Sequence, residues 1–328
     1  MRDCPGAGPD DPEQRDGGLV GPGRSTGAYQ TAGQKDPQKE RLPSGQAGEG
    51  DGDGVGTGRN VVWRMGGLNT KRKPEKTQPK NPHALTINQH VLPVKTIQRF
   101  AGVDGRVAVI FKEGRRRGEI ARVSPKDNLF CAKRVWNQRS EDITKKTYED
   151  PFQDLAERVI AGITQFLDPK DNVTATCFWG LWATRFLARK NPPHDKPVFG
   201  VTGIESQDLR EQIERAGASF VSPGGTLSGR HLADMNIQQG IDLVSMKYSN
   251  LSWRIVEAQE SEFIVPDGPG DIPYLPITPT IALLANARQV HGKAYLRGED
   301  VIWVNKDLFN AADTYLFTNA LPGTTLWT

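Results

Sequence analysis

The first 80 residues of this 328-residue chain contain neither isoleucine nor phenylalanine, and glycine dominates runs such as "GQAGEGDGDGVGTG". A segment of this composition buries too little apolar surface to offset the conformational entropy lost when its backbone becomes ordered. We therefore expect residues 1–80 to form a disordered tail and residues 81–328 to form the folded part. A part of that length is sufficient for one domain with its own core.

Met65 offers an alternative start for the chain. It begins "MGGLNTKRKPEKTQPKNP", a basic stretch with prolines that ends where the pattern of a folded protein begins. On this hypothesis residues 1–64 are upstream sequence and the functional product starts at Met65. An intact-mass measurement on native protein distinguishes the two starts.

The bulk properties exclude several classes of protein. A net charge of +3 is weak for a non-specific nucleic-acid binder of this length. Cys4, Cys131 and Cys177 form no C-x-x-C pattern, so they indicate neither a disulfide framework nor a zinc site and fit a reducing compartment. Because no run approaches the roughly 18 apolar residues of a membrane helix, and no secretory signal opens the chain, we expect a cytoplasmic protein without a membrane partner.

The hydrophobic periodicity of the folded part changes from strands to helices, back to strands, and then to one closing helix. In the helix predicted from about residue 230, Leu232, Met235, Gln239 and Leu243 share one stripe, and the closing helix is expected to begin at an Asn305 cap. This order predicts an α+β fold, a single domain over residues 81–328 in which a mixed or antiparallel sheet packs on a group of helices. The predicted strands are 107–111, 119–123, 251–259, 262–269, 273–286 and 301–304, and the predicted helices are one begun by Pro93, 148–168, 171–190, 206–216, one from about 230, and 305–317.

Four segments resemble signatures of a large, prokaryote-rich family known only as a domain of unknown function. "QHVLPVKTIQRFA" resembles its opening H-x-[VL]-P-x-x-x-x-x-R-F motif, and "SWRIVEAQESEFIVPDGPG" resembles a strand pair that ends in E-F-I-T-S-D-x-P. "YLPITPTIALL" is similar to its P-L-[ST]-P strand, and "WVNKDLFNAADTYLF" to its last helix. The resemblance covers about residues 84–318, which is essentially the whole predicted folded part.

The resemblance implies which polar positions matter. They are His90, Pro93 and Arg99 in the first motif, and Asp267 and Pro269 in the second. The family's T-S-D is V-P-D in this chain, so the hydroxyl groups beside the aspartate are missing. This departure puts in doubt any activity that depends on those hydroxyls.

The chemistry of His90, Arg99 and Asp267 makes them the candidate site. An imidazole at the entrance to a helix either satisfies a buried carbonyl or acts as a base, a metal ligand or a phosphate contact. Arg99 is either a solvated side chain or an ion-pair partner of Asp267. Asp267, at the end of an apolar strand, either forms an Asx-turn or is aimed into a site by the strand. We expect the three side chains to converge.

Other charged residues are weaker candidates. Glu149, Asp154 and Glu157 lie on the first long predicted helix, where solvated charges are common, although Glu157 has a position that could face a cleft. Arg115, Arg116 and Arg117 occupy a predicted hairpin tip, where they either contact phosphate or are simply solvated.

Two functions follow from these residues. The first is a phosphodiester hydrolase, such as a nuclease of a defence or toxin system, in which a His–Asp–Arg site works on nucleic acid with a possible divalent metal. The alternative is a non-enzymatic regulatory or interaction protein in which the same residues form a buried structural network. The weak basicity and the V-P-D departure favour the alternative, and burial of His90 and Asp267 away from a cleft would favour it further.

Overall fold

The computed structural model describes residues 74–270, 272–286 and 292–319, which all belong to one compact unit. The predicted tail up to residue 73, with Met65 in it, lies outside these residues. Residues 74–80 were predicted to belong to the tail, yet they lie against the fold: the Gln78 backbone N–H donates to Glu211 at 2.7 Å. Among the described helices, none combines the length and the apolar character that crossing a membrane requires.

The described elements confirm the predicted α+β class. The helices are α1 (Val94–Gln98), α2 (Gln138–Thr144), α3 (Asp150–Ile160), α4 (Pro169–Lys190), α5 (Gln207–Arg215), α6 (Gly229–Lys247) and α7 (Gly298–Ala311). A π-helical turn, Lys145–Glu149, joins α2 to α3. The strands are β1 (Asn88–His90), β2 (Val107–Phe111), β3 (Ile120–Val123), β4 (Cys131–Lys133), β5 (Lys196–Pro197), β6 (Val221–Ser222), β7 (Thr226–Leu227), β8 (Ser252–Ala258), β9 (Val265–Pro266), β10 (Tyr274–Pro276), β11 (Ile281–Asn286), β12 (Ala294–Leu296) and β13 (Tyr315–Thr318).

The described strands form four small sheets. One has the order β3-β2-β13-β9 and is antiparallel throughout, and another has the order β10-β11-β8-β12, with β12 parallel to β8. A two-stranded sheet pairs β1 with β4, and a three-stranded sheet has the order β5-β7-β6. The predicted sheet is therefore present as antiparallel and mixed sheets that are distributed around the helices.

The core has two parts, one on each side of the β2–β13 sheet. Val107, Val109 and Phe111 face the cluster that also contains the buried faces of α3, α4 and α6. Ile110 and Leu316 point to the opposite face, where they pack with residues of α7. The alternation of side chains along a strand explains why one strand serves both clusters.

The hairpin of β2 and β3 is predicted correctly. The two strands pair antiparallel, with Val109 opposite Ala121, and the tip contains the single turn Gly114–Arg116. Arg116 pairs with Glu119 and its guanidinium lies 3.9 Å from the centre of the Phe111 ring. One of the three tip arginines therefore has an intramolecular partner instead of being purely solvated.

The end of the chain differs from the prediction. "VIWV", predicted as a strand, lies inside α7, and residues 315–317, predicted as the end of the closing helix, belong to β13. Asn305 is not a cap: inside α7 its side chain accepts from the Ile264 N–H at 3.1 Å and donates to the Glu262 carbonyl at 2.8 Å. A short apolar run fits a buried helix face as well as a strand, so tertiary contacts decided this segment.

Two other helices end or begin away from their predicted positions. α3 ends at Ile160, and Ile163 and Phe166, predicted to lie on its buried face, are exposed. α4 begins two residues earlier than predicted, because its cap is Asp168, which accepts the Asp171 N–H, and not Asp171 or Asn172 as the sequence suggested. α5 lies within the predicted range 206–216, and Ser206 is its N-cap.

The apolar stripe predicted for the helix from about residue 230, which is α6, does not face the core. α6 buries Ala233, Ile237, Ile241 and Val244, while Met235, Gln239 and Leu243 lie on its exposed side. The helix carries apolar residues on both faces, so its sequence did not indicate which face would pack.

Candidate functional site

Asp267 lies directly after β9 and is almost completely buried, with 4% of its surface exposed. Its carboxylate accepts the backbone N–H of Asp313 at 2.8 Å and that of Thr314 at 2.9 Å. Its own N–H donates to the Tyr315 carbonyl at 3.1 Å. The side chain therefore ties the end of β9 to the turn between α7 and β13, which is a tertiary contact rather than a local Asx-turn.

The residues around Asp267 explain why the chain reads P-D-G-P at this point. Gly268 follows, and the ring of Phe186 from α4 lies where a β-carbon on Gly268 would be. A larger residue would push the strand end away from α4. The glycine thus brings Asp267 close to the helix.

Arg99 is the C-cap residue of α1. It donates to Glu157 on α3 at 3.0 Å, and Lys95 lies 3.3 Å from the same carboxylate oxygen. The hydrogen bond from Arg99 and, to a smaller extent, the contact with Lys95 lower the pKa of Glu157. Because about half of the Glu157 side chain is exposed, this is a surface ion pair of two helices, and the expected Arg99–Asp267 pair does not form.

His90 ends β1 and faces the thiol of Cys131, its register partner on β4. The Cys131 sulfur lies 3.5 Å from Nε2 and 3.6 Å from Nδ1 of the ring. Burial lowers the pKa of His90, and Arg185 acts in the same direction, while a hydrogen bond with the Pro125 carbonyl opposes them. Satisfying a carbonyl is one of the roles that the sequence left open for this imidazole.

The His90–Cys131 contact is a contact between two neutral groups. Burial raises the pKa of the Cys131 thiol to about 11. A reactive cysteine needs the opposite shift, toward a thiolate stabilised by an imidazolium. The pair is therefore suited to packing β1 on β4 and not to nucleophilic chemistry.

A group of charged residues that the sequence did not single out as a site lies beside His90. We call it the Arg185 cluster, and its members are Arg185 on α4, Glu141 and Thr144 on α2, Glu149 on the π-helical turn, and Trp136. Arg185, with 1% of its side chain exposed, contacts Glu149 at 2.7 Å and donates to Thr144 Oγ1 at 2.7 Å and to the His90 carbonyl at 3.3 Å. Its guanidinium lies 5.4 Å from the centre of the Trp136 ring.

The π-helical turn brings the second carboxylate into this cluster. Glu141 accepts the Trp136 indole N–H at 2.6 Å and lies 3.9 Å from Arg185. Glu149, eight residues later, reaches the same guanidinium from the last position of the turn. A π turn contains an extra residue, so it changes which side chains of a continuous helix share a face, and such turns are frequent at functional sites.

The electrostatics of the Arg185 cluster are unusual. Burial raises the pKa of Glu141, the charge of Glu149 adds to this effect, and the charge of Arg185 opposes it. Glu141, with its raised pKa, therefore lies near the ion pair of Arg185 and Glu149. A carboxylate whose pKa is raised beside charged partners is a mark of functional sites, although structural networks show it as well.

Tyr315 connects the surroundings of His90 with those of Asp267. Its hydroxyl accepts from Arg189 at 3.3 Å, and its ring lies edge-on to Phe130 at 5.6 Å. Burial raises the pKa of Tyr315 to about 12, and both Asp267 and Cys131 act in the same direction while Arg189 opposes them. Asp267 and the Cys131 thiol that faces His90 thus both act on Tyr315, while Asp267 and His90 keep separate hydrogen-bond partners.

The divalent metal considered from the sequence has no ligand set in the part of the chain that the structure describes. No three histidine, cysteine, aspartate or glutamate side chains are grouped there in a way that could hold an ion. The carboxylates of the Arg185 cluster face an arginine instead.

A cleft of about 720 Å³ lies elsewhere, between the start of α4, the end of α6 and β8. Asn172 and Thr176 on its wall hold Trp253, by accepting the Trp253 backbone N–H at 2.7 Å and the indole N–H at 2.9 Å. Arg254 is the charged residue of its lining. Neither His90, Arg99 nor Asp267 lines this cleft.

Comparison with known proteins found no family model, no curated protein and no solved structure that matches this chain. The resemblance of its motifs to a family of unknown function stays a prediction.

Sequence reasoning missed the central residue of the buried cluster. Glu149 was considered and given a solvated role, whereas Arg185 was not considered. The available signal was an arginine in the middle of "FWGLWATRFLARK", a helix that is apolar on most sides. A charge in such a helix is either paired inside the protein or exposed, and only the packing of α4 decides between these outcomes.

Proposed function

We propose that this chain is a non-enzymatic interaction protein in which His90, Arg99 and Asp267 are structural residues. The observation that carries the proposal is the position of Asp267, whose two carboxylate oxygens are taken by backbone N–H groups of residues 313 and 314. Each oxygen of this buried carboxylate is committed to a backbone N–H of the fold, which supports a structural role rather than contact with a substrate or metal.

The contacts of the other two residues support the same conclusion. Arg99 is paired with Glu157, and the His90 ring lies against a neutral thiol. Three side chains with three separate partners do not form the shared pocket that a catalytic trio requires. We also propose a cytoplasmic location, because Cys131 and Cys177 are both free thiols.

A nuclease assay tests this proposal. The full chain is incubated with labelled single- and double-stranded DNA and RNA in Mg²⁺ or Mn²⁺, beside His90→Ala and Asp267→Asn. We expect no cleavage above the buffer control by any of the three proteins. Cleavage by the wild type that disappears in a folded Asp267→Asn protein would overturn the structural assignment of Asp267.

The second candidate is a phosphodiester hydrolase whose site is the Arg185 cluster with His90. The raised pKa of Glu141, next to a second carboxylate and an arginine, favours it. Here Glu141 is the proton donor, the Arg185 guanidinium offsets the charge of phosphate, and the substrate is a nucleic acid of the kind degraded by defence or toxin nucleases.

The two candidates differ in which variants lose activity. If cleavage is found, the second candidate requires that Glu141→Gln and Glu149→Gln abolish it and that Arg99→Ala retain it. Glutamine keeps the size of the side chain, and circular dichroism confirms that each variant is folded. Cleavage that survives both glutamine substitutions excludes the Arg185 cluster as the site.

A further inference from the structure

α5 differs from an ordinary surface helix in what it buries. Its two buried side chains are Glu211 and Glu214, whereas Leu209 is exposed and Ile213 is half-buried. A surface helix normally packs an apolar stripe on the core, so a buried stripe of carboxylates needs a polar partner instead. Polar interfaces are typical of contacts that form and separate, whereas permanent contacts are more hydrophobic.

Two buried arginines meet this face of α5. The Glu214 Oε2 atom contacts Arg134 at 2.8 Å and Nη2 of Arg230, in the first turn of α6, at 2.9 Å. The ring of Phe220 lies 5.3 Å from the Arg230 guanidinium, and Ser228 accepts from its Nη1 at 3.3 Å. These contacts fix the position of Arg230, which has only 1% of its side chain exposed.

Residues 74–80, which we call the strap, cover this surface and supply the other partners of its charges. Glu75 forms an ion pair with Nη1 of Arg230. Gln78 donates to Glu211 twice, through its backbone N–H at 2.7 Å and through Nε2 at 3.2 Å. A carboxylate and, three residues later, an amide thus match a guanidinium and a carboxylate of the surface below.

The strap is held by polar contacts. In the described structure none of its residues is buried, and it forms neither a helix nor a strand. Its further contacts with α5 are the Lys76 carbonyl, which accepts from Gln207 at 3.2 Å, and Gln78 Nε2, which donates to Asp208 at 3.2 Å. A segment without buried apolar groups opens at a low free energy.

Opening of the strap changes the state of the surface below it. Arg230 loses Glu75 and Glu211 loses both hydrogen bonds from Gln78. Buried charges that lose a partner are unfavourable. The surface therefore favours an occupant that has the same two groups at the same spacing.

We propose that the acidic face of α5, together with Arg230, is a docking site for an extended segment of a partner protein in which a glutamate is followed three residues later by a glutamine. The strap, "PEKTQPK", occupies this site within the chain, and the partner segment displaces it. The order of the charges selects the direction of the segment, because a reversed segment places its carboxylate against Glu211. The inference deepens the proposed function, and the use of the site in recognition rests on that function.

An NMR titration of the isotope-labelled full chain tests docking of a separate segment. Glu75→Lys opens the site without changing the surface below, because a lysine repels Arg230. The probe is a peptide with the strap sequence PEKTQPK, added to a concentration on the order of 1 mM. We expect shifts of the α5 amide signals in the Glu75→Lys chain and about tenfold weaker binding to wild type, because its own strap competes at a high effective concentration.

The same peptide with Glu75→Gln isolates the ion pair, and we expect it to leave the α5 signals unchanged. A second control is Arg215→Gln in the Glu75→Lys chain, since Arg215 is an exposed residue of α5 and its loss should not affect docking. A Glu75→Lys chain that gives no shifts with the strap peptide overturns the proposal. Equal shifts with the two peptides do so as well.

Limited trypsin digestion tests whether the strap opens. Lys76 and Lys80 are exposed, but cleavage after them requires that the segment leave the fold. Glu75→Ala is expected to speed these cuts about tenfold, and an excess of the strap peptide should speed them in wild type. Glu113→Ala is the matched control, because Glu113 is an exposed glutamate beside the β2–β3 tip. Cleavage of Glu75→Ala at the wild-type rate overturns the proposal.

Failure of this proposal is distinguishable from failure of the proposed function. Nuclease activity that depends on Asp267 overturns the non-enzymatic assignment and leaves peptide docking intact, whereas absence of docking leaves the nuclease result unchanged. Sedimentation velocity identifies the source of the docked segment, and we expect a monomer for wild type. A wild-type dimer that Glu75→Lys abolishes assigns the site to the strap of a second copy and overturns the proposal of a different partner.

Discussion

Asp267 and Arg185 are both buried ionisable side chains, but they find different kinds of partner. Asp267 accepts hydrogen bonds from two uncharged backbone N–H groups, whose positions follow from the turn after α7. Arg185 is paired with side chains: it forms an ion pair with Glu149 and lies at longer range from Glu141. The first arrangement relies on backbone groups of the fold, whereas the second relies on side chains, among them Glu141 with its raised pKa.

Replacing Arg185 with methionine is expected to have the largest effect on this comparison. The substitution leaves Glu149 and Glu141 buried without their cation, which costs about 3–5 kcal/mol of unfolding free energy. Urea denaturation measures the loss, with Arg139→Met as the control, since Arg139 is exposed. A loss for Arg185→Met no larger than that of the control would mean that the carboxylates find other partners.

Replacing Asp267 with alanine is expected to cost less, about 1–3 kcal/mol, because two backbone N–H groups are left without an acceptor. Asp267→Asn keeps one acceptor oxygen and should lose less than alanine does. The same denaturation measurement compares them with Asp154→Ala on the exposed side of α3. Equal stability of Asp267→Ala and wild type would remove the structural role assigned to this carboxylate.

The pKa shift of His90 predicts a pH dependence of stability. The pKa of His90 in the folded protein is below its ordinary value of 6.5, mainly because of burial. The unfolded chain therefore binds the proton more readily, so the contribution of His90 is present above pH 6.5 and is lost as pH falls through the folded pKa. Wild type should lose this part of its unfolding free energy on acidification, and His90→Gln should not.

Parallel pH profiles for wild type and His90→Gln would contradict this assignment. Arg99→Ala is the control: it keeps the His90 imidazole, so its pH profile is expected to follow that of wild type in this range. The measurement is thermal or urea unfolding at a series of pH values below 7.

Arg99→Ala itself is expected to have the smallest effect. Its partner Glu157 is half exposed and keeps Lys95 as a second cation, so the loss should be about 0–1 kcal/mol. Denaturation at low and high salt checks this, since screening weakens a surface pair further. A loss above about 2 kcal/mol would place Arg99 among the buried charges, together with Arg185.

The fold was largely predictable because local patterns determine most of its elements. The β2–β3 hairpin follows from two runs of strand length on either side of a tip that contains glycine, and α5 follows from a short charged helical pattern closed by Gly217. Where two structures fit one pattern, the prediction was wrong: "VIWV" was taken for a strand and lies in α7, where Val301 and Val304 are buried and Trp303 is exposed.

The candidate site was predictable only in part. The two motifs drew attention to His90 and Asp267, and a role of these residues in a site stays a prediction. Their partners were not predictable, because Asp267 is bound by backbone groups 46 and 47 residues away and Arg99 by a residue of α3, 58 residues away. The sequence contains no local signal for contacts of this kind.

By itself the sequence determined the α+β class and the start of most helices and strands, because apolar periodicity, caps and turn residues act over a few residues. Only the tertiary structure decided which charges are buried and which apolar face stays exposed. α4 has an arginine that is enclosed, and α6 has an apolar stripe that is not, although their sequences indicate neither outcome. The physical reason is that burial depends on what packs against a helix, and those neighbours come from distant parts of the chain.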